Sequence, residues 1–156
     1  MTVPEKIAQN SFVVLQVGER RFAMEADIVA ELAPPVRLHT FPHTSPLILG
    51  VIVRRGRIIP VYDADSVLTG QPISAHAFYL IARRRFGKAS ELGAIPVNGE
   101  CELATGNVQL PAAEQPEYVS GTLAIGEEAL DILNLEALVT AQTARIKGTN
   151  QAETRP

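Results

Sequence analysis

The 156-residue chain carries 14 Lys plus Arg against 17 Asp plus Glu, a formal charge of −3, with 46% apolar and 5% aromatic residues. Those figures suit one folded domain and exclude a disordered chain. Its longest apolar stretch, Leu47 to Val53, falls short of the about 20 residues a membrane-spanning helix needs, and a lone cysteine, Cys101, excludes an internal disulfide and a zinc site of paired thiols.

Residues 1–10 form an N-terminal segment with Glu5 and Lys6 and without the apolar core of a secretory signal, so a cytoplasmic, reducing location without direct membrane insertion is expected. Phe12 to Val17, Gly18 and Arg21 to Met24 read as strand, turn and strand. Glu25 to Ala33 reads as a further strand, although Ile28, Val29 and Leu32 would also share a helical face. Leu47 to Arg54, the turn Arg55-Gly56 and Arg57 to Tyr62 form a hairpin pattern. Ala77 to Arg83, Leu92 to Val97, Tyr118 to Ile125 and Ala129 to Leu133 complete a mostly β chain. Asn134 caps a last helix to about Ile146, with Leu135, Leu138 and Val139 on one stripe. Residues 148–156 are a polar tail expected to be disordered.

Two longer-range patterns accompany these elements. Residues 1–88 hold 11 basic and 7 acidic side chains and residues 89–156 hold 3 and 10, so the halves either attract one another or steer different partners. Sliding the chain by 71 residues aligns Gly50 with Gly121, Ile59 with Leu130, Val61 with Ile132, Asp63 with Asn134 and Leu68 with Val139, and predicts two related subdomains.

Catalytic and cofactor motifs are absent. No Gly-x-Ser-x-Gly elbow occurs, and the acidic surroundings of Cys101 oppose a thiolate. His39 and His43 are separated by Pro42 in a loop, not set on a helix as a metal pair. Asp63-Ala-Asp65 reads as a helix cap in preference to a cation loop. No glycine-rich phosphate cradle is present. Arg20-Arg21, Arg54-Arg55-x-Arg57 and Arg83-Arg84-Arg85 with Lys88 leave a nucleic-acid-binding β-barrel as the rival reading, opposed by a pI of 5.6 and few aromatics. A turn arginine equally serves protein recognition through bidentate pairing with carboxylates.

Gly50-Val-Ile-Val-Arg-Arg-Gly-Arg-Ile-Ile-Pro-Val-Tyr-Asp63 resembles the signature Gly-Val-x-x-x-Arg-Gly-x-x-x-Pro-Val-x-Asp of the CheW family of chemotaxis coupling proteins. Phe12 to Gly18 and Phe22 to Leu32 are similar to its opening strands and Val-x-Glu-Ile segment. Tyr118 to Gly126 and Leu130 to Val139 are similar to its closing hairpin and helix start. The resemblance spans residues 11–140 and implies two intertwined, five-stranded SH3-like β-barrel subdomains, roughly the first and second halves, with a short C-terminal helix. It further implies no catalysis, no cofactor and no metal. The implied role is an adaptor between the tips of methyl-accepting chemoreceptors and the regulatory domain of a CheA-type histidine kinase, recruited to membrane-bound receptor arrays, with no nucleic-acid partner. Carried over by motif, Val29, Glu31, Arg55 and Gly56 fall at the receptor contact, and Arg54 beside them alters that surface or competes with Arg55.

Departures from the pattern point to a divergent member, such as one of an accessory or pilus-motility chemosensory system. Val53-Arg54 stands where Asn-Leu is usual, and Asp63-Ala-Asp-Ser replaces Asp-Leu-Arg. Pro96 weakens Gly93 to Asn98 as a central strand. Asn107 to Glu117 reads as a shortened loop.

Overall fold

A computed structural model describes residues 11–40, 48–71, 78–86, 89–99 and 101–139. The N-terminal segment, His43, Lys88, the tail and the predicted helix beyond residue 139 lie outside the described residues. Eleven strands among the described residues form two sheets. They are β1 (Phe12–Val17), β2 (Arg20–Glu25), β3 (Val29–Ala33), β4 (Ile48–Arg54), β5 (Arg57–Tyr62), β6 (Phe78–Phe86), β7 (Ala89–Val97), β8 (Glu102–Ala104), β9 (Asn107–Gln109), β10 (Val119–Ile125) and β11 (Glu128–Leu133). Helix α1 (Ala64–Thr69) follows β5, and α2 (135–139) follows β11.

The first sheet runs β8-β1-β2-β11-β10-β9 and the second β3-β6-β7-β5-β4, six and five strands where the resemblance implied five each. The sheets do not divide the chain at its midpoint. The second takes residues 29–97, while the first joins the two ends of the chain through a parallel pairing of Phe22 and Ala23 with Asp131 and Ile132. Ion pairs Arg21–Glu128 and Arg20–Asp131 cross the same seam, and Arg21 also reaches across β1 to Glu102 on β8, so the basic and acidic halves attract one another.

Strand alternation distributes side chains among three cores. Phe12, Val14 and Ala23 meet Leu123, Leu130 and Ile132 inside the first sheet. Tyr79 and Ile81 meet Ala33, Ile52, Ile59, Val61 and Ala94 inside the second. The opposite faces of the same strands, including Leu15, Phe22 and Met24 from one sheet and Leu80, Ile95 and Val97 from the other, fill a core between them. That shared core has 16 buried side chains against 7 and 6 in the others, so the two sheets stabilise each other as one unit. Burial on both faces explains the continuous apolar runs of β1 and β6.

The 71-residue echo has a structural basis. Both hairpins carry a register shift at the aligned glycine, between Ile48 and Gly50 and between Val119 and Gly121. Asp63 and Asn134 each cap the following helix, Asp63 accepting from the Ser66 amide at 3.3 Å and Asn134 from the Ala137 amide at 3.1 Å. Leu68 and Val139 are both buried. The parallel pairs Val61–Ala94 and Ile132–Ala23 correspond too, because residues 23 and 94 are themselves 71 apart.

Four expectations need correction. Glu25 to Ala33 is not one strand, since Ala26–Ile28 forms a 3-10 turn that carries the chain from one sheet to the other before β3 starts. Pro96 does lie in a central strand, but the parallel contact of β7 with β5 is made at Val61–Ala94, two residues earlier, so its missing N–H interrupts no ladder there. Asn107 to Glu117 begins as strand β9, paired with β10. His39 is exposed but not in a free loop, because its backbone exchanges hydrogen bonds of 2.8 and 2.9 Å with Val51.

Candidate partner-binding site

Arg54 and Arg57 are cross-strand partners, which leaves Arg55-Gly56 as a two-residue turn. Its φ angles are 54° and 77°, the left-handed pair of a type I′ turn, whose twist matches that of the flanking strands. Gly56 adopts this conformation without steric cost. Arg55 is the only non-glycine with positive φ among the described residues, and its side chain is 76% exposed.

Glu31 reaches the turn because of a bulge. Val29 lies opposite Ala82 and Glu31 opposite Ile81, so the extra residue, Ala30, reverses the alternation. Val29 therefore packs against the shared core, whereas Glu31 takes the face of Ile81. β3 and β4 are the two edges of the five-stranded sheet. Arg54 bridges them by donating to Glu31 Oε2 from Nε at 2.9 Å and also from Nη2, and Arg55 Nε lies 3.5 Å from Oε1. Burial pushes the Glu31 carboxyl up, but the Arg54 and Arg55 guanidiniums outweigh it and hold the group below its ordinary value. The structure thus brings together Glu31, Arg54, Arg55 and Gly56 and sends Val29 to the opposite face.

Outward from the same hairpin, Val53 and Ile58 form a cross-strand apolar pair, 50% and 71% exposed. Leu103, Val108 and Leu110 are exposed on and beyond β8 and β9. A shallow cavity of about 320 Å³ lies between the sheets, lined by Asp27, Ile28, Arg83, Ser120, Leu133 and Asn134.

The described side chains of the remaining arginine clusters are occupied internally. Arg20 donates to the Leu68 carbonyl at 2.8 Å and lies over the Phe22 ring, Arg21 holds Glu102 and Glu128, and Arg83 donates to the Asp27 carbonyl. Arg84 lies 3.6 Å from Glu91. No group of three or more metal-ligating side chains occurs among the described residues. Nor is any described helix long and apolar enough to cross a membrane.

Two further ionisable groups, Asp65 and Cys101, are withdrawn from solvent. Asp65 is 5% exposed and its Oδ1 has no hydrogen-bond partner, a burial that the Asp63-Ala-Asp65 pattern did not reveal. Cys101 packs against the shared core, and burial pushes its thiol up to about 11, a cause distinct from the acidic neighbours that the sequence suggested. Iodoacetamide at pH 8 should therefore alkylate the folded chain about a hundredfold more slowly than the urea-unfolded chain, as followed by mass spectrometry. Equal rates would place the thiol in water.

A family model described as a CheW-like domain matches residues 11–143. Comparison with curated protein sequences returned no match. Among solved structures, the scaffolding protein TtCheW from Thermoanaerobacter tengcongensis is similar, with 21% sequence identity and a TM-score of 0.71 over 83% of this chain and 91% of that one. At that identity the likeness establishes the fold.

Proposed function

The chain belongs to the CheW-like domain family, a family of scaffolds and not enzymes, and from that premise we propose that it couples chemoreceptor signalling tips to a CheA-type histidine kinase. The observation that carries this reading is the Glu31–Arg54–Arg55 cluster at the hairpin turn, a charged knob of fixed geometry. Arg55 and Gly56 present the cation, Glu31 and Arg54 brace it, and the shallow cavity between the sheets offers a track for the apolar ridge of a helical receptor hairpin. Val29 supports this region from the core side. The exposed pair Val53–Ile58 supplies an apolar face for the kinase regulatory domain. Arg54 fits an altered receptor surface, as in an accessory or pilus-motility system. The internal pairing of Arg20, Arg21 and Arg84 weighs against a nucleic-acid groove.

Calorimetric titration against the kinase regulatory domain and a receptor signalling-tip fragment tests the reading, with binding to both expected. Failure of both folded fragments to bind would overturn it. Arg55→Glu should weaken receptor binding about tenfold or more while leaving the melting temperature close to that of the parent, because the side chain is a solvent-exposed charge. Unchanged receptor affinity in that variant would remove Arg55 from the interface.

A further inference from the structure

Glu31 offers one carboxylate to two guanidiniums, and they hold it unequally. Arg54 contributes two donors to Oε2 from a side chain only 27% exposed. Arg55 approaches Oε1 through Nε alone, at 3.5 Å, with 76% of its side chain in solvent. A two-donor, charge-assisted contact that is partly shielded from water outweighs a long, exposed ion pair. Arg57, exposed across the turn from Arg54, adds a third cation, so the knob holds more positive than negative charge.

Resting on the coupling reading, we infer that Arg54 is a positioning residue that occupies Glu31, so that the outer nitrogens of Arg55 remain available for a carboxylate presented by the receptor surface. Without Arg54, Glu31 turns to Arg55, with which it is already in ion-pair contact, and captures its planar fork, converting a loosely held cation into a tightly neutralised pair. Arg54 thereby sets specificity for an acidic partner group without touching it. The same contact joins β3 to β4, so the cation is mounted on a closed edge of the sheet.

The test follows arginine modification by phenylglyoxal, read by peptide mass spectrometry on the folded full chain, alongside affinity for the receptor-tip fragment. In the parent protein Arg55 should react faster than Arg54. Arg54→Leu should slow Arg55 modification and weaken receptor binding, each about threefold to tenfold, and adding Glu31→Gln should restore the Arg55 reactivity. Unchanged Arg55 reactivity in Arg54→Leu, or a loss of that reactivity that Glu31→Gln does not recover, overturns the inference. If Arg54→Leu does not fold, Glu31→Gln alone decides: Arg54 reactivity should rise with little change at Arg55, and the reverse pattern overturns it. A parent protein that binds no receptor fragment overturns the coupling reading instead, and the labelling ratios then judge the role of Arg54 by themselves.

Discussion

Asp65→Asn is expected to raise the unfolding free energy at pH 7.5 by about 1–3 kcal/mol, a gain of several degrees in melting temperature. Burial, and secondarily the neighbouring Asp63 carboxylate, push the Asp65 carboxyl from 3.8 up to about 6. Between those values the folded chain binds more protons than the unfolded one, so stability falls as pH rises through this window. A shift of that size corresponds to about 3 kcal/mol at neutral pH, and the asparagine amide retains part of the penalty because its own polar atoms are buried. Urea unfolding should accordingly find the parent protein more stable at pH 5 than at pH 7.5, with the variant nearly flat. Glu31 acts with the opposite sign at lower pH: its carboxyl is held below 4.5, so its contribution is present above that value and is lost on further acidification. A parent protein that loses stability between pH 7.5 and pH 5 would mean that Asp65 is ionised and paired with a cation.

Gly50→Ala is expected to destabilise the fold by about 3 kcal/mol. A Cβ at this position would lie 2.5 Å from the His39 carbonyl oxygen and 3.1 Å from Leu38 Cδ1. The first of these is backbone, held by the two hydrogen bonds between His39 and Val51, so it cannot swing aside as a flexible side chain would. Relief requires breaking that bridge or bending β4, and either exposes the inner core of the second sheet. Gly121→Ala repeats the test at the 71-residue equivalent, where the Cβ would meet the Gln109 oxygen at 2.8 Å, and a smaller loss is expected. Val53→Ala, half exposed on the same strand, serves as the control and should change stability within about 0.5 kcal/mol. Equal midpoints for Gly50→Ala and Val53→Ala in urea would show that residues 38–39 do not pin the β4 edge.

Both positions illustrate how unevenly the site and fold could be read in advance. Gly50 is visible in the sequence as part of the Gly-Val-x-x-x-Arg-Gly block, yet the reason for a glycine there is a carbonyl 11 residues upstream. Asp65 looks like a second capping acid, and only the packing of α1 shows that one acid caps while the other is buried. Arg54 was visible as a charge out of pattern, but its choice of Glu31 over solvent depends on two sheet edges meeting.

What the sequence determined by itself is the local chemistry. β-branched runs specify strands, Arg55-Gly56 specifies a tight turn, Asn134 caps a helix, and the 71-residue spacing repeats hairpin, cap and helix. These follow from interactions among residues a few positions apart. Only the tertiary structure decided the rest. The short strands β8 and β9, three residues each and largely exposed, exist because β1 and β10 offer open edges, and backbone hydrogen bonds leave no mark in composition. One bulged residue, Ala30, parts Val29 from Glu31. The exchange of β2 and β11 across the ends of the chain buries both sheets against one core, and the free energy of that burial depends on surfaces far apart in sequence.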